Sequence, residues 1–114
     1  MSRSQIEYLR HILDETTYLL SSSESLSKED FVEDENLKRA FTRSIEIMGE
    51  ASKNLSEEIR TMYPQINWRG MARMRDKLIH QYFGVDYDLV WEVVSRAVPE
   101  IHSDLKKIIE EITD

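Results

Sequence analysis

Residues 37–62 read LKRAFTRSIEIMGEASKNLSEEIRTM, and their apolar spacing is helical throughout. Leu37, Phe41, Ile45, Met48, Ser52, Leu55, Ile59 and Met62 recur at steps of three and four, which predicts one helix of about seven turns. It should stop before Pro64, because the residue preceding a proline is disfavoured in helix. Gly49 falls mid-helix, at a cost of roughly 1 kcal/mol relative to alanine. With Ala51 nearby, its expected role is to let another helix approach closely. Long stripes also suit self-association, but core packing is the commoner explanation.

Upstream, Ile6, Leu9, Leu13 and Leu20, with Thr16 or Thr17 filling the gap, predict a first helix from about Ser4 to Leu20. Serines 21, 22, 23, 25 and 27 then mark a connection. Ser27-Lys28-Glu29-Asp30 resembles a capping box with aspartate at the third helical position, and a short turn there would carry Phe31 into the core. Downstream, Asn67 should cap a helix bearing Trp68, Met71, Met74, Leu78 and Ile79. That helix should end near Tyr82, since Phe83-Gly84-Val85-Asp86 reads as a turn. The last segment starts at Asp86 or Asp88 and carries Leu89, Val90, Val93, Val94 and Ala97. Pro99 either kinks it or opens a new helix, and Ile101, Leu105, Ile108 and Ile112 continue the stripe. The expected architecture is all-α, an antiparallel bundle of four to five helices forming a single domain over residues 1–114.

Composition agrees. In 114 residues, 40% apolar and 32% charged side chains suit amphipathic helices, and three glycines with two prolines leave little turn chemistry for a β fold. The absence of cysteine removes disulfides, thiolate metal sites and cysteine nucleophiles. No apolar run is long enough to span a membrane and the start lacks a signal-peptide core, so the expected place is the cytoplasm. The net charge of −7 argues, taken alone, against nucleic acid as a partner. The charge is uneven, however: acids crowd Glu24–Glu35, whereas Arg69, Arg73, Arg75 and Lys77 face a single acid, Asp76. A basic site on an acidic body remains open.

His11 and His102 read as surface or boundary residues, and no histidine pair has metal-ligand spacing. Neither a metal nor another cofactor is expected. His80 stands apart, following the basic stretch and lying two residues before Tyr82. An imidazole can both give and take a proton, and Arg75 can grip a phosphate with two parallel hydrogen bonds. Metal-free RNA cleavage needs those two things: proton transfer at a ribose or leaving oxygen, and a cation for the charged phosphorane. Five residues along a helix rotate a side chain by about 500°, leaving Arg75 and His80 about 140° apart. A groove shared by two subunits would solve this, so a dimeric site is expected. On spacing alone the pattern is weak, and a helix end with a capping histidine and a partly buried tyrosine is the better account of it. Glu50 is a candidate ion-pair partner for Arg75.

The block Arg75-Asp76-Lys77-Leu78-Ile79-His80-Gln81-Tyr82-Phe83-Gly84-Val85-Asp86, followed by Val90-Trp91-Glu92-Val93-Val94, resembles the signature of the HepT-like ribonucleases of the HEPN superfamily. Ile47-Met48-Gly49-Glu50-Ala51 and Asn67-Trp68-Arg69 extend the likeness, which covers about Gln5 to Ile109. The resemblance implies an all-α fold that dimerises through its motif-bearing helices and cuts RNA without a metal, as the toxin of a toxin–antitoxin pair. It assigns catalysis to Arg75 and His80; Asp76 fits its polar position, either as a supporting residue that orients one of them or as a solvated helix residue. It makes Tyr82 the residue to which an MntA-like minimal nucleotidyltransferase antitoxin transfers AMP, in a complex that can be larger than the dimer. Arg69, Arg73 and Lys77 are candidates for holding the RNA backbone, with ordinary surface charge as the alternative. The rival function is a non-catalytic subunit that binds nucleotide or presents substrate to a nucleotidyltransferase.

Overall fold

A computed structural model describes residues 1–81 and 83–113, and every regular element among them is helical. The helices are α1 (Arg3–Ser23), α2 (Lys28–Glu33), α3 (Glu35–Lys53), α4 (Glu57–Met62), α5 (Trp68–His80), α6 (Tyr87–Glu92) and α7 (Val98–Thr113). A π-helical turn, Val93–Ala97, joins α6 to α7. The all-α helical bundle expected from the periodicity is the fold observed. Among the described residues, no helix is long and apolar enough to cross a membrane.

Helix starts are set by short polar side chains. Ser2, Ser27, Asp34, Ser56, Asn67 and Asp86 each accept a hydrogen bond from the backbone N–H three residues on. Such a cap satisfies a donor the helix cannot, and contributes about 1 kcal/mol. Ser27 and Asn67 cap where the sequence predicts, and of the two aspartates proposed for the last segment, Asp86 is the cap. The short α2 carries Phe31 into the core, where it stacks on Phe41 at 5.1 Å and lies against Trp91 at 5.4 Å.

Three local expectations are corrected. The helix predicted through residues 37–62 breaks between α3 and α4. The Asn54 side chain donates to the Glu50 carbonyl at 2.8 Å, an alternative to continuing the helix, and Ser56 starts α4. Gln5 of α1 clamps the break, donating to the Asn54 carbonyl at 3.2 Å and accepting from the Ser56 N–H at 2.8 Å. Leu55 and Ile59 stay buried across it, so the apolar pattern gives no sign of the interruption, but Met62 is 53% exposed. In α1 the fully buried positions are Leu9, Ile12, Thr16 and Leu19, with Ile6, Leu13 and Leu20 only half-buried. That helix also runs on to Ser23, because Ser21 and Ser23 bond back to the Tyr18 and Leu20 carbonyls within the helix.

Pro99 opens α7 as a first-turn residue, one of its two expected places. It has no N–H for the carbonyl of Ser95, and the preceding turn widens so that the Val98 N–H reaches the Val93 carbonyl. The Ser95 hydroxyl donates to the Trp91 carbonyl at 2.8 Å within that turn.

Helices α1 and α3 run antiparallel, as the Gln5 clamp at one end and a 2.8 Å bond from Ser44 to Glu15 towards the other require. Helix α5 packs chiefly along α3. The contact is close because Gly49 has no side chain: a Cβ there would overlap the Arg75 Cβ and lie 2.6 Å from the Met71 carbonyl oxygen. This is the close approach that Gly49 was expected to permit, and it fixes where Arg75 leaves its helix.

Candidate active site

Helix α5 positions the sequence-predicted residues and is firmly anchored at its start. Trp68 is buried and its indole N–H donates to the Tyr63 carbonyl at 2.9 Å. Met71 and Leu78 bury the face that meets the core. Everything between them inherits a fixed direction.

Arg75 points towards α3. Its Nε lies 3.1 Å from Glu50 Oε2, and its Nη1 lies 2.9 Å from Asp76 Oδ1, with 25% of the side chain exposed. The pairing with Glu50 is the one anticipated. Asp76 Oδ1 also receives Lys53 Nζ at 3.2 Å, a partner for which the sequence carries no signal. Hydrogen bonds from Arg75 and then Lys53 hold the Asp76 carboxyl below the usual carboxylate range. Asp76 is therefore an anion that orients the guanidinium. Among the described residues, nothing accepts from Arg75 Nη2, which leaves donors for a phosphate oxygen.

His80 points elsewhere. Its Nδ1 lies 2.6 Å from the Asp76 backbone carbonyl. A carbonyl oxygen only accepts, so this bond places a proton on Nδ1 and leaves Nε2 of the neutral ring with its lone pair. The residue is exposed, and Nε2 is available as a base.

The basic residues sort by face. At about 100° per residue, Arg69, Arg73, Lys77 and His80 fall within about 80° of one another, and Arg75 lies on nearly the opposite side. All four are exposed, and among the described residues none of the three cations is in an ion pair. They form a cationic stripe leading to His80. The cavity that Arg75 lines does not include His80. Tyr82 lies outside the described residues.

Arg75 instead lines a cavity of about 380 Å³ between α1, α3 and α5, together with His11 and Tyr8. His11 is exposed, as its polar flank of α1 predicts. Its place beside Arg75 comes from the packing of α1 on α3, for which no local motif exists. His102 is half-buried between α1 and α7, its Nδ1 2.9 Å from the hydroxyl of the buried Thr16. Among the described residues, no group of three or more His, Asp or Glu side chains is placed to hold a metal ion.

The family profile "Ribonuclease HepT-like" matches residues 6–112. A protein of Caldanaerobacter subterraneus subsp. tengcongensis, named by inference as an RNase, is 48% identical over 103 residues, covering 90% of this chain and 92% of its own. Another so named, from Methanocaldococcus jannaschii, is 39% identical over 105 residues, covering 92% of this chain and 87% of its own. A ribonuclease HepT of Thermococcus cleftensis, also assigned by inference, is 40% identical over 108 residues, covering 95% and 98%. No solved structure is significantly similar to the chain. With a profile match over nearly its whole length and relatives of matching size, the chain belongs to the HepT-like ribonuclease family.

Proposed function

We propose that this protein is a metal-independent endoribonuclease that acts as a homodimer, the toxin of a toxin–antitoxin pair. The family and the names of the relatives support RNA cleavage. The observation that carries the chemistry is His80, whose Nδ1 is occupied by the Asp76 carbonyl at 2.6 Å while its exposed Nε2 ends a row of unpaired cations. A base at the end of a phosphate-binding track is what backbone cleavage requires.

In the proposed reaction, Nε2 takes the proton of a ribose 2′-hydroxyl and the 2′ oxygen attacks the adjacent phosphorus. The bond to the 5′ oxygen breaks, giving a 2′,3′-cyclic phosphate and, with a proton returned from an imidazolium, a 5′-hydroxyl. The guanidinium of Arg75, fixed by Glu50 and Asp76, stabilises the phosphorane charge. Because Arg75 and His80 diverge within one helix, a second copy related by a two-fold axis supplies the complement each site lacks.

Transfer of AMP to Tyr82 by a cognate nucleotidyltransferase would silence the enzyme. A bulky anion two residues from His80 obstructs the track and repels RNA phosphate.

Arg75 already holds two carboxylates, which also suits a structural pin in a non-catalytic nucleotide-binding subunit. One experiment separates the readings: RNA cleavage in excess EDTA by wild type and by His80→Ala. Cutting by wild type alone supports the nuclease. Equal cutting by both removes His80 from the chemistry, and no cutting by wild-type protein of unmodified mass favours the binding subunit.

A further inference from the structure

The cavity beside Arg75 has a wall of a different kind from the cationic stripe. Tyr8 and His11 of α1 meet there edge to face, with ring centroids 6.4 Å apart and planes at 77°. Across from them stand two arginines that already have carboxylate partners on α3. Arg43 lies 3.5 Å from Glu46 and Arg75 lies 3.1 Å from Glu50. The carboxylates thus offset the arginines, Arg75 keeps only Nη2 for a phosphate, and the rest of the cavity suits an uncharged group. It offers aromatic surface, hydrogen-bonding groups at its edge and a volume of about 380 Å³, enough for a flat heterocycle with part of its sugar.

We propose that this cavity is a nucleobase subsite. It takes the base of the nucleotide next to the phosphate held by Arg75, with Tyr8 and His11 as its aromatic wall. The inference rests on the nuclease reading for the position of that phosphate. Unstacked bases of single-stranded RNA are held on aromatic side chains in this manner, and removing one such ring weakens binding on the order of tenfold. Arg75 belongs to both the cavity and the catalytic site, so an occupied subsite sets which base lies beside the cut. The lining carboxylates Glu46 and Glu50 favour base edges that donate hydrogen bonds over those that only accept.

The test uses the full chain with His11→Ala combined with Tyr8→Leu, which keeps the apolar packing of Tyr8 and removes its ring. Cleavage of random-sequence single-stranded RNA in EDTA is mapped for cut-site composition, and KM and kcat are measured on one short substrate. The expected result is continued cutting with a flattened base preference and KM raised on the order of tenfold, kcat changing less. Unchanged KM and unchanged cut-site composition would overturn the proposal. So would complete loss of cutting in a variant with wild-type circular dichroism, which would assign the pair to the chemistry itself. A second measurement does not depend on activity: titration of wild type with each of the four ribonucleoside 3′-monophosphates, observed through the ring signals of Tyr8 and His11. Shifts that saturate sustain the subsite even if no RNA is cut. Silence of both rings with all four nucleotides overturns it while leaving the nuclease reading to be judged on His80.

Discussion

The two faces of α5 obey opposite rules. The inner face is pressed against α3 at its centre: Gly49 admits Arg75 and the Met71 carbonyl, Ser52 donates to the Met71 sulfur, and Glu50 grips the guanidinium. On the outer face Arg69, Arg73, Lys77 and His80 stand in solvent, and among the described residues nothing neutralises the cations. A packed seam transmits position, and an unpaired surface is free to bind. One helix serves both ends because Arg75 and His80 emerge on different sides of it.

The sharpest way to break this contrast is to remove a side chain from the outer face. His80→Ala should lower RNA cleavage by on the order of 10²–10⁴, the usual weight of a general base. The melting temperature should stay near that of wild type, since the side chain is exposed and its described bond is to a backbone carbonyl. A large fall in melting temperature would mean that the outer face is structural after all.

The matching change on the inner face is Gly49→Ala. One methyl group overlaps the Arg75 Cβ and crowds the Met71 carbonyl, both of them parts of the helix and not the ends of flexible side chains. A destabilisation of about 1–3 kcal/mol is expected in urea unfolding, the usual result of overpacking a seam. Cleavage should fall as well, because α5 must move and carry Arg75 with it. Wild-type stability would show that α5 is held by its ends and not by the seam.

These faces also explain what is legible in the sequence. The cap at Asn67, the stripe of Met71 and Leu78 and the glycine at 49 are local signals, so α5 and its close neighbour follow from them, whereas Glu50 is legible only as a candidate partner for Arg75. The interruption at Asn54–Ser56 does not, because burial of Leu55 and Ile59 continues the helical rhythm while a side-chain amide and Gln5 of a distant helix end it. His11 is silent for a similar reason. Its neighbours along the chain are ordinary, and only the docking of α1 on α3 sets it beside Arg75. Signals of capping and period are written in short windows, whereas a cavity wall is written in tertiary structure.

A smaller effect tests whether the cationic stripe is a track. Arg69→Gln, Arg73→Gln and Lys77→Gln together should weaken RNA binding with little effect on the cut pattern. For every phosphate these cations neutralise, the substitution should reduce the slope of log affinity against log salt by about 0.7 on single strands. Fluorescence anisotropy at several salt concentrations measures that slope. An unchanged slope would return the three cations to the status of ordinary surface charge.

The smallest expected effect comes from the junction of α1 and α7, where His102 bonds to Thr16 away from α5. Burial, and to a lesser degree the charge of Lys106, lowers the His102 pKa below its ordinary 6.5. The unfolded chain therefore binds this proton at a higher pH than the native protein does, and the native state is penalised as acidity increases. The contribution is complete above pH about 6.5 and is lost as the pH falls through the lowered native value. His102→Gln removes the titration and can keep a hydrogen bond to Thr16, so its stability should vary less than wild type between neutral and mildly acidic pH. Parallel pH profiles of urea unfolding for the two proteins would locate the dependence elsewhere. A flattened profile with unaltered cleavage by the variant at neutral pH would show that α1 and α7 respond to pH independently of α5.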